Sequence, residues 1–126
     1  MANGRKGVRS FPKRGSVYVV RFDPTEGSEI KKTRPAMIIQ NDIGNRFSNI
    51  TIVAAITSKF HLPMHPTNVL IKAPEAGLAV DSVVRLDQIR SVDKARLVKR
   101  LGNARLATLA KVDRAIKISL GLTDLS

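Results

Sequence analysis

Short apolar runs that end near proline, glycine or asparagine make up most of the hydrophobic pattern of this chain. Runs of this length that are rich in valine, isoleucine and tyrosine predict β-strands, and the residues between them predict turns. We predict strands at residues 16–22, 36–40, 50–57, 68–72, 82–89 and 98–101. Short strands at such close spacing are typical of a small barrel.

Residues 50–57 carry the strongest strand signal. Their alternation separates the side chains onto two faces of the strand. One face holds Ile50, Ile52, Ala54 and Ile56, and the other holds Thr51, Val53, Ala55 and Thr57. The turn-forming residues 41–45 predict a hairpin before this strand. Residues 23–35 contain two prolines and several charges, which predicts a long surface loop.

The last part of the chain has the periodicity of a helix. Apolar residues recur every three or four positions between residues 104 and 120, which predicts an amphipathic helix that packs one stripe against the sheet. The stripe consists of Leu106, Leu109, Val112, Ile116 and Leu120. Asn103 is the predicted N-cap, Gly121 the predicted stop, and residues 93–97 a single helical turn. The predicted fold class is therefore mainly β (α+β).

Charge is the compositional feature that points to a partner. The chain of 126 residues has 22 Lys and Arg against 10 Asp and Glu, a formal net charge of +12. Such a field attracts polyanions, so nucleic acid is the first partner to consider. An acidic protein, an anionic membrane surface or solubility alone are the alternatives. Residues 1–13 are basic without apolar periodicity, which predicts a flexible tail before a single domain at 14–126.

Several classes of protein and site are excluded by composition. The chain has no cysteine, so disulfides, thiol nucleophiles and cysteine-ligated zinc are excluded. It has neither an apolar run of about 20 residues nor a secretory signal pattern, so we expect a cytoplasmic protein without a membrane partner. His61 and His65 have the spacing of a helical zinc site, but Pro63 lies between them, and we expect neither a metal nor another cofactor.

A set of short motifs, taken in order across residues 14–122, resembles the MazF/PemK family of bacterial toxin endoribonucleases. No single motif is diagnostic, but their order and spacing are specific. They are Arg14-Gly15, Asp23-Pro24-Thr25 with Gly27-Ser28-Glu29, Arg34-Pro35, Gln40-Asn41-Asp42-Ile43-Gly44-Asn45, Ile52-Val53-Ala54-Ala55-Ile56-Thr57 and Asp87-Gln88-Ile89-Arg90.

The resemblance implies a small SH3-like β-barrel of the MazF/CcdB type with a C-terminal amphipathic helix, assembled as a homodimer. It also implies metal-independent, sequence-selective cleavage of single-stranded RNA and neutralisation by a cognate antitoxin. The catalytic positions of the family fall on Arg34 and Thr57. The positions expected to contact RNA on the same ground are Ser28, Asn45, Gln88 and Arg90.

The chemistry of these residues fits the implied reaction in part. Cleavage of RNA without a metal uses the neighbouring 2′-OH as nucleophile, and both Arg34 and Thr57 can donate hydrogen bonds to the phosphate. Arginine is a poor proton acceptor, so Glu29 competes with Arg34 for the role of general base. A non-catalytic nucleic-acid-binding barrel, or a toxin of the same fold that poisons gyrase as CcdB does, is the alternative function.

One residue departs from the expected electrostatics. Arg105 lies in the first turn of the predicted C-terminal helix. A cation at that end opposes the helix dipole, where members of the resembled family tend to be acidic.

Overall fold

The computed structural model of the chain describes residues 11–22 and 33–124. Their strands and helices are β1 Ser16–Arg21, β2 Thr33–Ile38, α1 Asp42–Phe47, β3 Ile50–Thr57, β4 Asn68–Ile71, β5 Ser82–Asp93, β6 Leu97–Asn103 and α2 Leu106–Ser119. Single turns of 3-10 helix lie at Glu75–Gly77 and Lys94–Arg96, and the second confirms the turn predicted at residues 93–97. Within the described ranges, no helix is both long and apolar enough to cross a membrane.

The described strands form one antiparallel sheet in the order β4-β5-β3-β2-β1-β6. The long pair β3 and β5 runs from Ile50 opposite Asp93 to Thr57 opposite Val83, with a register shift between Ala54 and Ala55. The sheet and its C-terminal helix confirm the predicted mainly β fold. One detail of the predicted barrel differs. The strands β4 and β6 lie at opposite ends of the strand order, and among the described residues no ladder joins them to close the barrel.

The turn that follows β4 makes a close backbone contact with β6, the strand at the other end of the sheet. The turn Glu75–Gly77, which follows β4, packs on β6. A Cβ atom at Gly77 would collide with the carbonyl oxygen of Leu101, and one at Gly102 would lie 2.7 Å from the carbonyl carbon of Ala76. Gly77 also has a φ of +76°, a conformation that favours glycine. Two glycines therefore allow a turn to occupy the place of a hydrogen-bonded strand.

Two apolar clusters bury the two faces of the sheet. The larger cluster lies under α2 and includes Val112 and Ala115 of that helix. Ala54 and Ile56 of β3 belong to it, whereas Val53 belongs to the second cluster. This separation confirms the predicted faces of β3. The strand β3 therefore has an apolar cluster on each of its two faces. It also lies between two hydrogen-bonded neighbours, so it is a central strand of the sheet.

The strands β2 and β3 that flank residues 41–45 pair antiparallel, as the predicted hairpin requires. The predicted turn between them is wrong, because these residues start the short helix α1. The side-chain oxygen of Asn41 accepts a hydrogen bond from the backbone N–H of Gly44 at 2.8 Å, as an N-cap does. Asp42 follows in the first turn, where a carboxylate favours a helix. Asn, Asp and Gly serve both turns and helix starts, so their presence did not distinguish the two.

The surface loop predicted at residues 23–35 extends too far, because β2 begins at Thr33. Arg34 pairs with Val20 of β1, so it lies on a strand. Pro35 favoured a loop because proline lacks a backbone N–H. Here the pairing between β2 and β3 begins only at Ala36, so Pro35 leaves no gap in that ladder.

The start of the C-terminal helix was also predicted too early. Asn103 is the last residue of β6, and its Oδ1 accepts a hydrogen bond from Ser16 Oγ at 2.6 Å. The helix α2 begins at Leu106, whose side chain is 84% exposed. The core positions of α2 are Thr108, Val112 and Ala115, with Leu109 and Ile116 partly buried. The predicted apolar stripe is therefore correct in its middle and wrong at both ends, since Leu120 is exposed as well.

A carboxylate from outside the helix stabilises the start of α2. Glu75 accepts hydrogen bonds from the backbone N–H of Arg105 at 2.9 Å and from Thr108 Oγ1 at 2.6 Å. Its side chain is only 7% exposed, and the guanidinium of Arg105 lies 3.3 Å away. Burial acts to raise the pKa of Glu75, but the hydrogen bonds from Thr108 and Arg105 lower it overall. Arg105 is thus paired with an anion, which resolves the conflict with the helix dipole.

We expect Glu75→Gln to lower the free energy of unfolding by about 1 to 2 kcal/mol at pH 7, because the cap loses its charge. The folded-state pKa of Glu75 lies below its ordinary value of 4.5, so its stabilisation is present above that pH and is lost as the pH falls further. Urea unfolding at pH 7 and at pH 3.5 measures the effect. The difference between wild type and variant should shrink at the lower pH.

The exposed carboxylate of Asp124 provides the control for this experiment. Asp124→Asn should change stability by less than about 0.5 kcal/mol at either pH. A Glu75→Gln protein as stable as the Asp124→Asn protein at pH 7 would contradict the role of Glu75 as a cap.

Candidate active site

The candidate site lies where β2 and β3 separate. Their register runs from Ile38 opposite Val53 to Ala36 opposite Ala55. Beyond this point β1 is the one described strand that pairs with β2, while β3 continues to Thr57 along β5. The space between the two strands opens a pocket of about 500 Å³, which lies in the range of ligand sites.

Arginine side chains dominate this pocket, which we call the arginine pocket. Its lining consists of Phe22, Arg34, Ala55, Ile56, Thr57, Arg85, Gln88, Ile89 and Arg90. It brings together four of the residues that the sequence singled out: Arg34, Thr57, Gln88 and Arg90. Among the described residues, the lining contains three guanidinium groups and no carboxylate. A cavity with this charge attracts anions such as phosphate.

Thr57 places its hydroxyl at the end of β3. Its Oγ1 accepts a hydrogen bond from the backbone N–H of Lys59 at 3.1 Å. The contact from Oγ1 to the Lys59 carbonyl oxygen is long, at 3.5 Å. The backbone thereby fixes the oxygen atom, while the hydroxyl proton is weakly held and can be donated to a ligand.

Arg34 reaches the same pocket from β2. It is an exposed residue, and within the described part of the chain its side chain makes no hydrogen bond or ion pair. The five N–H donors of its guanidinium are therefore not used by other described residues. A bidentate contact to two phosphate oxygens suits this planar group.

The other two arginines are held by neighbours. Arg85 donates from Nε and Nη2 to the carboxylate of Asp87, at 3.2 and 2.8 Å. This hydrogen bonding lowers the pKa of Asp87 and raises that of Arg85. The guanidinium of Arg90 lies 5.0 Å from the ring centre of Phe22, a cation–π contact. Neither Arg85 nor Phe22 was predicted from the sequence as a site residue. Arg85 could have been found, since it alternates with Asp87 on a predicted strand.

Asn45, which the sequence predicts as an RNA contact, does not line the arginine pocket. Its side chain is fully buried in α1. Its Oδ1 accepts from Gln40 Nε2 at 3.0 Å and from Thr51 Oγ1 at 2.7 Å. Its Nδ2 donates to the Gln40 carbonyl oxygen at 2.9 Å and to Asp42 Oδ1 at 3.2 Å. All four hydrogen-bonding positions of the amide are used, so Asn45 has a structural role.

Two further predicted site residues, Ser28 and Glu29, lie outside the described residues. Among those that are described, no group of three or more His, Asp or Glu side chains is arranged to hold a metal ion.

Comparison with known proteins gives consistent matches. Residues 13–120 match the family model described as a PemK-like, MazF-like toxin of type II toxin-antitoxin systems. The chain is 47% identical over 112 residues to the endoribonuclease EndoA of Bacillus subtilis, covering 89% of this chain and 97% of that one. It is 44% identical over 112 residues to the endoribonuclease MazF of Staphylococcus epidermidis, covering 89% and 93%.

Solved structures show the same fold. A mycobacterial endoribonuclease, solved in complex with its cognate antitoxin, superposes with a TM-score of 0.74 and 27% identity. The match covers 90% of this chain and 98% of that one.

Proposed function

Because this chain belongs to the PemK-like, MazF-like toxin family of type II toxin-antitoxin systems, we propose that it is an endoribonuclease that cleaves single-stranded RNA at selected sequences without a metal ion. The observation that carries this proposal is the arginine pocket, where Arg34 and the Thr57 hydroxyl line one cavity of about 500 Å³. Relatives named as endoribonucleases share more than two fifths of the sequence, at 47% and 44% identity.

In the proposed reaction the 2′-OH next to the scissile phosphate loses its proton and attacks the phosphorus, and the 5′-oxygen of the following nucleotide leaves and takes up a proton from water. The products are a 2′,3′-cyclic phosphate and a 5′-OH. Charge accumulates on the non-bridging oxygens in the transition state, where Arg34 donates in bidentate fashion and Thr57 donates through its hydroxyl. Arg85, oriented by Asp87, adds positive charge to the same cavity.

The nucleophile must also lose its proton. Arginine has a pKa above 12 in its ordinary state, which makes Arg34 a poor acceptor. We propose Glu29 as the general base, since it precedes Arg34 by five residues and carries a carboxylate. Ser28, next to it, is proposed to contact the substrate.

We propose that the amide of Gln88 recognises an RNA base in the arginine pocket by hydrogen bonds, and that Arg90 is a neighbouring RNA contact. An amide presents a donor and an acceptor in fixed directions, which guanidinium charge does not. We expect Gln88→Ala to relax the cut-site preference at one position while cleavage continues. Sequencing of the 5′ ends of the fragments measures this preference.

Lys99→Ala provides a control for Gln88→Ala, because Lys99 is exposed on β6 and does not line the pocket. It should leave the cut-site preference unchanged. The same preference in the wild type and in Gln88→Ala would exclude base reading by Gln88.

We further propose that the protein acts in the cytoplasm as a homodimer and that a cognate antitoxin neutralises it. The mycobacterial structural relative, solved with its cognate antitoxin, supports such a partner.

The proposed activity is tested by incubating the purified protein with a long single-stranded RNA in EDTA and mapping the fragment ends. We expect cuts at a small set of related sequences. Binding of RNA without any cut would favour the alternative of a non-catalytic nucleic-acid-binding barrel. Cleavage that appears only after a divalent metal is added would contradict the metal-free reaction.

A further inference from the structure

A second pocket adjoins the arginine pocket, and apart from the residues that the two pockets share, its lining has no role in the proposed reaction. Its volume is about 520 Å³, and it shares Thr57 and Arg85 with the arginine pocket. The segment between β3 and β4 forms most of its lining, including His61 and His65. We call it the histidine pocket.

The histidine pocket combines the groups that bind a nucleotide. Lys59 and Arg85 contribute cations, and the carboxylate of Asp87 is already paired with Arg85. His61 and His65 add two imidazoles, while Phe60 supplies an aromatic side chain in the same lining. Cations recognise a backbone phosphate, and aromatic rings stack on bases.

The position of Thr57 connects the two pockets. Its hydroxyl lies at the end of β3, where both linings meet. An RNA strand whose scissile phosphate is at Thr57 must continue past that residue in both directions. The histidine pocket provides a cationic surface directly beside the strand's path.

We propose that the histidine pocket binds the RNA nucleotide next to the scissile phosphate, with a backbone phosphate of that nucleotide facing Lys59, His61 and His65. This inference rests on the proposed function. The proposed contact of His61 and His65 with a backbone phosphate contributes to RNA binding and is not required for the cleavage chemistry.

The proposal has a consequence for pH, because histidine is the side chain that ordinarily gains its charge between pH 8 and 5. The chain contains two histidines, and both line this pocket. Lys59, Arg85 and Asp87 are the other charged groups that line the pocket, and a bound phosphate favours the charged imidazolium. RNA affinity should therefore increase as the pH falls through this range.

The test measures binding of a short fluorescent single-stranded RNA by anisotropy, in an Arg34→Ala protein that does not cut it. Each imidazolium that contacts a phosphate adds about 0.7 to the slope of log affinity against log salt. The slope should be steeper at pH 5.5 than at pH 8, and His61→Gln with His65→Gln should remove the difference. Lys99→Gln, outside the pocket, should retain it.

A second readout is the imidazole NMR signals of the Arg34→Ala protein, which should shift when the RNA is added. A pH-dependent slope that persists in the double histidine variant would overturn the histidine pocket as a subsite while leaving RNA binding established. Absence of RNA binding at any pH, together with absence of cleavage by the wild type, would instead overturn the proposed function, and the subsite with it.

Discussion

Arg34→Ala should reduce the rate of RNA cleavage by at least about 100- to 1,000-fold, because the transition-state phosphate loses its bidentate donor. Arg34 lies on β2 where that strand has no partner on β3, and its side chain is exposed. The fold should not depend on it. The free energy of unfolding should change by less than about 0.5 kcal/mol.

The matched variant is Arg34→Lys, which keeps the charge but not the planar fork. It should recover RNA affinity and only a small part of the cleavage rate. Single-turnover cleavage and anisotropy, measured on the same RNA, separate the two effects. Wild-type cleavage by a folded Arg34→Ala protein would remove Arg34 from the catalytic machinery.

Thr57→Val should lower the single-turnover cleavage rate by about 100-fold, with little effect on RNA affinity. Valine has nearly the shape of threonine, so the end of β3 keeps its packing. The variant loses the hydroxyl that can donate to the phosphate. It also loses the oxygen that accepts a hydrogen bond from the Lys59 backbone N–H. Because this N–H is exposed, water can replace the lost acceptor at little cost in stability.

Thr57→Ser separates these contributions, because serine restores the hydroxyl without the methyl group. We expect Thr57→Ser to recover most of the cleavage rate. Equal losses of affinity and rate in Thr57→Val would make Thr57 a binding residue rather than a catalytic one.

The strands could be predicted from sequence wherever the side chains themselves carry the signal. Residues 50–57 are rich in β-branched side chains and form β3 with the predicted bounds. Arg34 was placed on a loop because Pro35 and the preceding charges are typical of loops. Its place on a strand depends on pairing with Val20, a contact between distant parts of the chain that no local pattern reports.

The site was predictable to the extent that family motifs mark it. Gln88 and Arg90 alternate on one strand and reach the pocket together with Arg34 and Thr57. Asn45 belongs to such a motif as well, but its burial depends on how α1 packs against β3, and the motif does not distinguish a structural amide from a binding one.

The stabilising role of Glu75 could not be predicted from local sequence either. The residues around Arg105 contain no acidic side chain in the first turn of α2. The stabilising carboxylate comes from a turn 30 residues earlier in the chain. Only the folded chain brings that anion to the end of the helix.

One pair of RNA substrates tests the central claim most directly. Both contain a mapped cut site, and one has a single 2′-deoxyribose in place of the ribose that precedes the scissile phosphate. In EDTA, the wild-type protein should cut the all-ribose substrate to a 2′,3′-cyclic phosphate, identified by mass spectrometry. It should bind the deoxy substrate with similar affinity and leave it uncut. Cleavage of the deoxy substrate at the same position would contradict attack by the 2′-OH, and with it the roles assigned to Arg34 and Thr57.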